Sequence, residues 1–597
     1  MRKRISQIDD HLRQNPAYSP TFQFIFFIGS ESVKYLPMTR RELKKLKWKE
    51  VDIILVTGDA YVDHPSFGVA VIGRVLLAEG FRVGVISQPD WHTLKDITAL
   101  GKPRLFFGVT AGNVDSMVAN YTASKKRRRR DDYTPGGLGG KRPDRATIVY
   151  SNLIKSAYKD VPIVLGGIEA SLRRFAHYDW WSNKVRKSVL VDAKADVIAY
   201  GMAEKSIVKI AKSIAKNGEI DKDIPGIVYW CTKKPLAGIE IPSFEEISKN
   251  KLSYIKAFRI FYNETDPIRG NKIYQRQDLR YVVQNPPELI STTELDRIYS
   301  LPYSREVHPE CLNKGRVKAI ETVKYSITTH RGCYGECNFC AITLHQGRYV
   351  VSRSPDSILD EAKLISKRKD FNGTITDVGG PTANMYGFEC MVKFNKGACL
   401  EKRCLFPKIC PSLRIDHTPY IELLRKIRSL DGVKHVFISS GIRYDLILMD
   451  RKSGVKFLNE LIEHHISGQL KIAPEHISED VLKLMGKPDR KVLDRFISLF
   501  ESMRKNRKLY LIGYFIAAHP GCTQDHMEEL RNYVKSKMGY TPRQVQIFTP
   551  TPLTFSTTMY YTEMNPFTAE SVFVEKSEKK RTLQKEMLLR RPQKRKI

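Results

Sequence analysis

The sequence predicts an α/β protein in two halves: a doubly wound parallel sheet over residues 48–216, then a partial (β/α)6 barrel over residues 315–552. Three observations carry this. Short runs of Val, Ile and Leu bounded by Gly or Pro recur through both halves. Amphipathic helical patterns separate them, as in parallel βαβ units. A polar stretch of roughly 100 residues, 217–314, parts the two series, and its Pro286-Pro287 marks extended chain.

Composition bounds the class. The chain has 597 residues, with 99 Lys and Arg against 65 Asp and Glu, a formal net charge of +34. Its 42% hydrophobic content excludes global disorder. No apolar run approaches the roughly 18 residues of a membrane span. The early candidate Phe22–Ile28 is broken by Gln23 and follows a polar, Pro-containing stretch rather than a signal-peptide start. A soluble cytoplasmic protein with no membrane contact is expected. Excess positive charge suits a nucleic-acid or other phosphate-bearing partner, and equally a solvated basic surface.

Residues 1–47 read as an N-terminal extension. Strands are expected at Val51–Thr57, Arg82–Ile86, Arg104–Val109, Val161–Leu165 and Asp196–Tyr200, with a helix at Val69–Glu79. Gly58-Asp59 and Gly166-Gly167 follow expected strands, where open parallel sheets bind ligands. Six consecutive cations, Lys125 to Arg130, lie between the third and fourth strands and read as a mobile loop able to touch an anionic substrate. In the second half, strands are expected at Lys324–Thr329, Thr374–Val378, His435–Ser440, Gln469–Ile472, Tyr510–Ala517 and Gln544–Phe548, with helices such as Tyr420–Leu430 and Val492–Met503. Chemistry belongs at the carboxyl ends of such strands. Residues 553–597 read as a basic tail, since Lys576 to Ile597 carries ten Lys or Arg against two Glu.

The strand at Lys324–Thr329 runs into Arg331-Gly332-Cys333-Tyr334-Gly335-Glu336-Cys337-Asn338-Phe339-Cys340. Three close thiolates with no fourth nearby suit three irons of a [4Fe–4S] cube, leaving one iron open. Half of a zinc site completed from a distance is the alternative. Gly332 and Gly335 permit a tight fold around a cluster, and Phe339 shields it.

This motif, its place after the first strand of the second half, and Gly379-Gly380 after the second strand resemble the radical S-adenosylmethionine (SAM) superfamily. The stretches Asp377-Val378-Gly379-Gly380-Pro381-Thr382-Ala383-Asn384-Met385-Tyr386, Leu470-Lys471-Ile472-Ala473-Pro474-Glu475-His476 and Ser556-Thr557-Thr558-Met559-Tyr560-Tyr561-Thr562 are similar to its uncharacterised YgiQ-like family. The resemblance implies an enzyme that cleaves SAM reductively to a 5′-deoxyadenosyl radical and modifies a substrate the family does not name. It implies Cys333, Cys337 and Cys340 as [4Fe–4S] ligands, Gly379 and Gly380 as receivers of the methionine amino group, and a flavodoxin- or ferredoxin-type electron donor. Pro381 stands where many superfamily members have Glu. Arg443 is expected on the methionine carboxylate, for which its bidentate fork is suited, and Glu475 on the ribose hydroxyls; structural roles suit both equally.

Cys390, Cys399, Cys404 and Cys410 form a second set, read as an auxiliary iron–sulfur cluster, a zinc site or no metal at all. Cys231, Cys311 and Cys522 read as ordinary residues, and His519 as a turn histidine facing the site. The first domain resembles the cobalamin-binding folds that precede many radical SAM barrels. Their Asp-x-His-x-x-Gly pattern is not met by Asp63-His64-Pro65-Ser66-Phe67-Gly68: Val62 stands at the Asp place and Gly68 comes one place late. Cobalamin is therefore not expected, and the domain reads as a scaffold or substrate-docking module. The competing functional readings are an RNA-modifying, methylthiotransferase-like enzyme and a non-enzymatic, metal-stabilised RNA-binding protein.

Overall fold

A computed structural model describes residues 33–505 and 507–589. The expected extension falls partly outside the described residues, as do Phe22–Ile28 and the end of the basic tail. What is described of the extension is not an appendage. Helix α1 (Arg40–Lys45) starts at a capping box between Thr39 and Glu42, and Leu36 is buried in the core of the first half.

The first sheet places β1 (Ile53–Thr57), β2 (Val83–Ser87), β3 (Phe106–Thr110), β4 (Ile163–Leu165) and β5 (Val197–Ala199) in the parallel order 2-1-3-4-5. Strands of this part are buried on both faces, which explains their unbroken Val and Ile runs. The order reverses between β1 and β3, and ligands of such sheets bind outside the carboxyl ends at that point.

The polar stretch 217–314 is not a connector. It adds β6 (Ile227–Cys231), β7 (Ile239–Ile241), β8 (Ile273–Gln277) and β9 (Arg280–Gln284), which extend the sheet beyond β5 in the order 6-9-8-7. Three of the four added contacts are antiparallel, and β8 and β9 mix apolar residues with Gln and Arg, which lowers their mean hydropathy. Helix α2 (Lys251–Glu264) of this stretch buries Tyr254, Phe258 and Phe261 in the core of the first half.

In the second half, β10 (Ser326–Thr328) pairs in parallel with β11 (Asp377–Gly379), and Thr374-Ile375 pairs with β12 (His435–Val436). Further along, β13 (Gln469–Glu475), β14 (Tyr510–Ala517) and β15 (Gln546–Ile547) pair in parallel, with Ile442 bridging to Ile472. Strand segments therefore stand side by side in chain order.

Residues 553–589 are not a solvated tail. Helix α3 (Phe555–Thr562) is buried at all but one position, and Phe555 and Tyr560 join the core of the first half. Helix α4 (Glu578–Leu588) seats Leu588 in the core of the second half. Gln584 fastens it there, accepting from Ala518 N at 2.8 Å and donating to Cys522 O at 3.0 Å. Among the described residues no helix is long and apolar enough to cross a membrane.

Candidate active site

The loop after β10 owes its shape to two glycines. Gly332 has φ +80°, and a Cβ there would lie 1.7 Å from the carbonyl oxygen of Tyr349, so no other residue fits. A Cβ on Gly335 would meet Cys333 Sγ at 3.2 Å, Cys337 Sγ at 3.6 Å and Arg443 Nη1 at 3.6 Å. Two thiols and a guanidinium thus gather round one bare backbone position. Burial, and then crowding by Cys337, push the thiols of Cys333 and Cys340 up, and a bound cation relieves both effects. Among the described residues no three His, Cys, Asp or Glu side chains converge on a single-ion position. Three thiols on one loop could hold a multi-iron cluster, whose ligands sit on different metal atoms, or part of a zinc site.

Gly379 and Gly380 end β11 with bare backbone. A Cβ on Gly380 would strike the His330 ring at 2.6 Å, and one on Gly379 would press on Ala383 Cβ and Ser440 Oγ at 3.3 Å. Gly380→Ala is expected to push the buried His330 ring off its seat, at a cost of about 1–3 kcal/mol, and a lowered thermal midpoint checks this.

A cavity of about 590 Å³ joins the two halves. Thr110, Gly112, Gly166 and Gly167 line it from the first sheet, and Gly379, Gly380, Pro381 and His330 from the second half. Both expected glycine pairs after strands, 166–167 and 379–380, therefore open on one space at the reversal of strand order. Cys333 Sγ lies 3.5 Å from Thr382 Oγ1, so one thiol reaches the residue that follows Gly379, Gly380 and Pro381 of the cavity lining. Gly58-Asp59 is not part of the lining. Asp59 is buried 2.7 Å from Arg142, and burial pushes its carboxyl up to about 6.

Arg443 is not free for a ligand carboxylate. Its fork is taken by Asp445, with Nε to Oδ1 at 2.8 Å and Nη2 to Oδ2 at 2.5 Å, and Nη1 points at Cys337 Sγ, 3.7 Å away. A carboxylate two residues on outcompetes a diffusing one because its ordering entropy is already spent in folding. Glu475 ends β13 at φ +68°, buried, with Lys487 Nζ 4.0 Å away, and burial raises its pKa. Backbone held in this region is strained and concentrates at functional sites.

The second cysteine set divides. Cys390 and Cys404 share an apolar cluster with Tyr334, whereas Cys399 is exposed. Cys404 Sγ receives a hydrogen bond from Lys393 Nζ at 3.6 Å, and its thiol is pushed up to about 11 by burial. No three of these four converge on one metal position. Cys311 and Cys522 are buried; Cys311 Sγ accepts from Tyr61 N at 3.4 Å, and Cys522 lies 3.6 Å from His476 Nε2. His519 is buried beneath the motif, edge-on to Phe339 at 6.2 Å.

Glu336, inside the motif, is a site residue that sequence reasoning missed. It is 4% exposed, receives a hydrogen bond from Tyr262 of α2, and lies 3.1 Å from Lys393 Nζ and 4.0 Å from Arg348 Nη1. Arg403 donates to its backbone oxygen at 2.7 Å. One carboxylate thus pins the cysteine loop to Tyr262, Lys393 and Arg348, and its place between two cysteines was the only signal in the sequence. Glu336→Gln leaves Lys393 buried without its counter-charge, whereas Arg348 keeps Asp266 at 3.4 Å, and about 3 kcal/mol of stability is expected to be lost, read as a lower thermal midpoint.

His64, the imidazole of the incomplete cobalamin pattern, is buried. Its Nδ1 accepts from Ser66 N at 3.1 Å and its Nε2 lies 3.0 Å from Arg305 Nη1. That guanidinium also donates to the carbonyls of Lys324 and Ser326, so His64 serves the joint between the halves.

Comparison with known proteins follows the same division. Residues 35–326 match the family model "Radical SAM N-terminal", residues 327–534 "Radical SAM superfamily", and residues 543–594 "Domain of unknown function (DUF3362)". A UPF0313 protein of Thermotoga neapolitana is 58% identical over 560 residues, 93% of this chain and 98% of that protein. One from Clostridium botulinum strain 657 is 53% identical over 564 residues, 93% and 88% of the two chains. Among solved structures, the radical SAM methyltransferase TsrM from Kitasatospora setae, described with cobalamin and a [4Fe–4S] cluster bound, has TM-score 0.46 and 15% identity, covering 83% of this chain and 71% of that one. OxsB, a cobalamin-dependent SAM radical enzyme described with aqua-cobalamin bound, has TM-score 0.46 and 13% identity, covering 88% and 56%. The expectation that cobalamin is absent is corrected by these descriptions. Losing Asp-x-His-x-x-Gly removes one imidazole ligand and leaves the cavity at the strand-order reversal in place. The three cysteines, the paired halves and the relatives agree: the chain belongs to the UPF0313, or YgiQ-like, family of the radical SAM superfamily.

Proposed function

We propose that this chain is an iron–sulfur enzyme that cleaves SAM reductively to a 5′-deoxyadenosyl radical and uses it on a substrate held between the two halves. The observation that carries the reading is the approach of Cys333, first of the three cysteines, to Thr382 at the end of the strip Gly379-Gly380-Pro381 that lines the cavity. The cluster, when bound by Cys333, Cys337 and Cys340, supplies the electron for that cleavage. Strand segments β10 to β15, taken in order, form the wall of a partial (β/α)6 barrel with these residues at its carboxyl end.

Each nearby residue then has a task. Gly379 and Gly380 present unobstructed backbone to the methionine amino group. Arg443, held by Asp445, keeps its Nη1 3.7 Å from Cys337 Sγ and so orients that thiol in the loop. Glu475 accepts hydrogen bonds from the ribose hydroxyls, and the apolar cavity wall excludes water from the radical. Anaerobic reconstitution with iron and sulfide tests the reading. About four irons per chain and 5′-deoxyadenosine from SAM after reduction are expected. A protein that takes up only zinc, or a reduced cluster that yields no 5′-deoxyadenosine, would refute it.

A further inference from the structure

The six cations Lys125 to Arg130 are not a free loop. Backbone bridges pair Tyr121 with Arg127 and Arg130 with Leu138, and Ser124 Oγ lies 3.4 Å from Thr582 Oγ1 of α4. Lys126 to Arg130 are exposed. The two carboxylates that follow are turned elsewhere: Asp131 is 3.0 Å from Arg142, and Asp132 is 3.6 Å from Lys318. Among the described residues none of the six cations forms an ion pair. A rigid face of unneutralised positive charge repels itself, and a partner of opposite charge relieves that repulsion.

Beneath this face runs a file of aromatic side chains. Lys125 Nζ sits 4.7 Å from the centre of the Trp180 ring, and Trp180 Nε1 donates to Tyr560 OH at 3.3 Å. Ring centres of Tyr560 and Phe548 are 6.1 Å apart, those of Phe548 and His519 5.2 Å, and those of His519 and Phe339 6.2 Å. Phe339 stands between Cys337 and Cys340. Ser556, on the same helix as Tyr560, lies 2.7 Å from His519 Nε2, and its amide donates to Asn338 O at 2.9 Å. Arg581 of α4 lies over Trp180 at 5.0 Å and donates to Phe548 O. Residues 543–589 thus tie the basic face to the cysteine loop.

We propose that the hairpin 121–138, backed by α4, is the docking face for an acidic one-electron carrier protein, and that residues 543–589 hold this face in register with the cysteine loop. The inference rests on the proposed function, in which the chain must be reduced. Charge alone fits a polynucleotide equally well; continuity with Phe339 favours the carrier. Glu578 and Glu586 also lie on α4, so the hairpin supplies most of the attraction. The carrier gives up one electron and is oxidised by one, the site held by the three cysteines takes it, and no covalent bond or proton is exchanged.

Binding of oxidised flavodoxin, an acidic FMN protein, to the reconstituted chain provides the test, with Kd followed against salt. Lys126→Glu/Arg127→Glu/Arg129→Glu is expected to weaken Kd by about tenfold or more and to flatten its salt dependence. Dithionite, which needs no docking, is expected to drive 5′-deoxyadenosine formation equally in both proteins. Should the charge reversal misfold, Lys126→Ala/Arg129→Ala is expected to shift Kd the same way by a smaller factor. Wild-type protein that fails to bind flavodoxin, or a variant that binds it as tightly as wild type, overturns the docking face. A variant that keeps flavodoxin but loses bulk tRNA assigns the face to a polynucleotide and also overturns it. Absence of 5′-deoxyadenosine from the wild type with dithionite instead condemns the proposed function.

Discussion

Replacing Cys333, Cys337 and Cys340 together by Ala is expected to yield a chain that keeps its two cores and loses all iron, with SAM cleavage at the level of a protein-free control. Cys333 and Cys337 flank Gly335 and Cys340 follows on the same loop, and their removal deletes every thiol of the loop while sparing the hydrophobic clusters of both halves. Burial pushes the thiols of Cys333 and Cys340 up. Far-UV circular dichroism close to wild type, with iron falling from about four per chain to none, is the expected pair of readings. Iron retained at the wild-type level would move the cluster to other ligands, with Cys390 and Cys404 the first to be tested.

Gly332→Ala is expected to damage the site almost as severely without touching a ligand. Its φ of +80° places a side chain in the left-handed region, and its Cβ would sit 1.7 Å from a backbone oxygen rather than against a side chain able to swing away. Conformational strain and forced displacement of Tyr349 together are expected to cost about 3–5 kcal/mol. Tyr349 in turn donates through its hydroxyl to Asp266, at 3.1 and 2.9 Å, so the displacement spreads into residues 217–314. A lower thermal midpoint together with incomplete cluster uptake is expected. Uptake at the wild-type level would show that the loop tolerates another backbone path.

Legibility in the sequence followed the range of the interactions. Strands β1 to β5 were readable because each is buried on both faces and carries an unbroken apolar run. In contrast, β8 and β9 carry Arg276, Gln277, Arg280 and Gln284 among apolar residues, and that half-polar pattern hid them in what read as a connector. Helix α3 was hidden by its hydroxyls. Thr558 and Thr562 bond to carbonyls four residues back, so a helix rich in Ser and Thr is buried at no polar penalty. The lysines and arginines after it then set the composition of the whole tail.

The sequence by itself determined the cysteine spacing, the glycine pairs and the alternation of strands and helices, since all are set by neighbours within a few turns of chain. Tertiary structure decided what each long-range group faces. Arg443 took Asp445 rather than a ligand, Glu336 drew Lys393, Arg348 and Tyr262 to the cysteine loop, and two glycine pairs more than 200 residues apart came to line one cavity. A buried charge must be paired with whatever opposite charge packing brings within reach, because desolvation makes the unpaired state prohibitive. That choice depends on contacts between segments distant in sequence, which no local pattern of residues encodes.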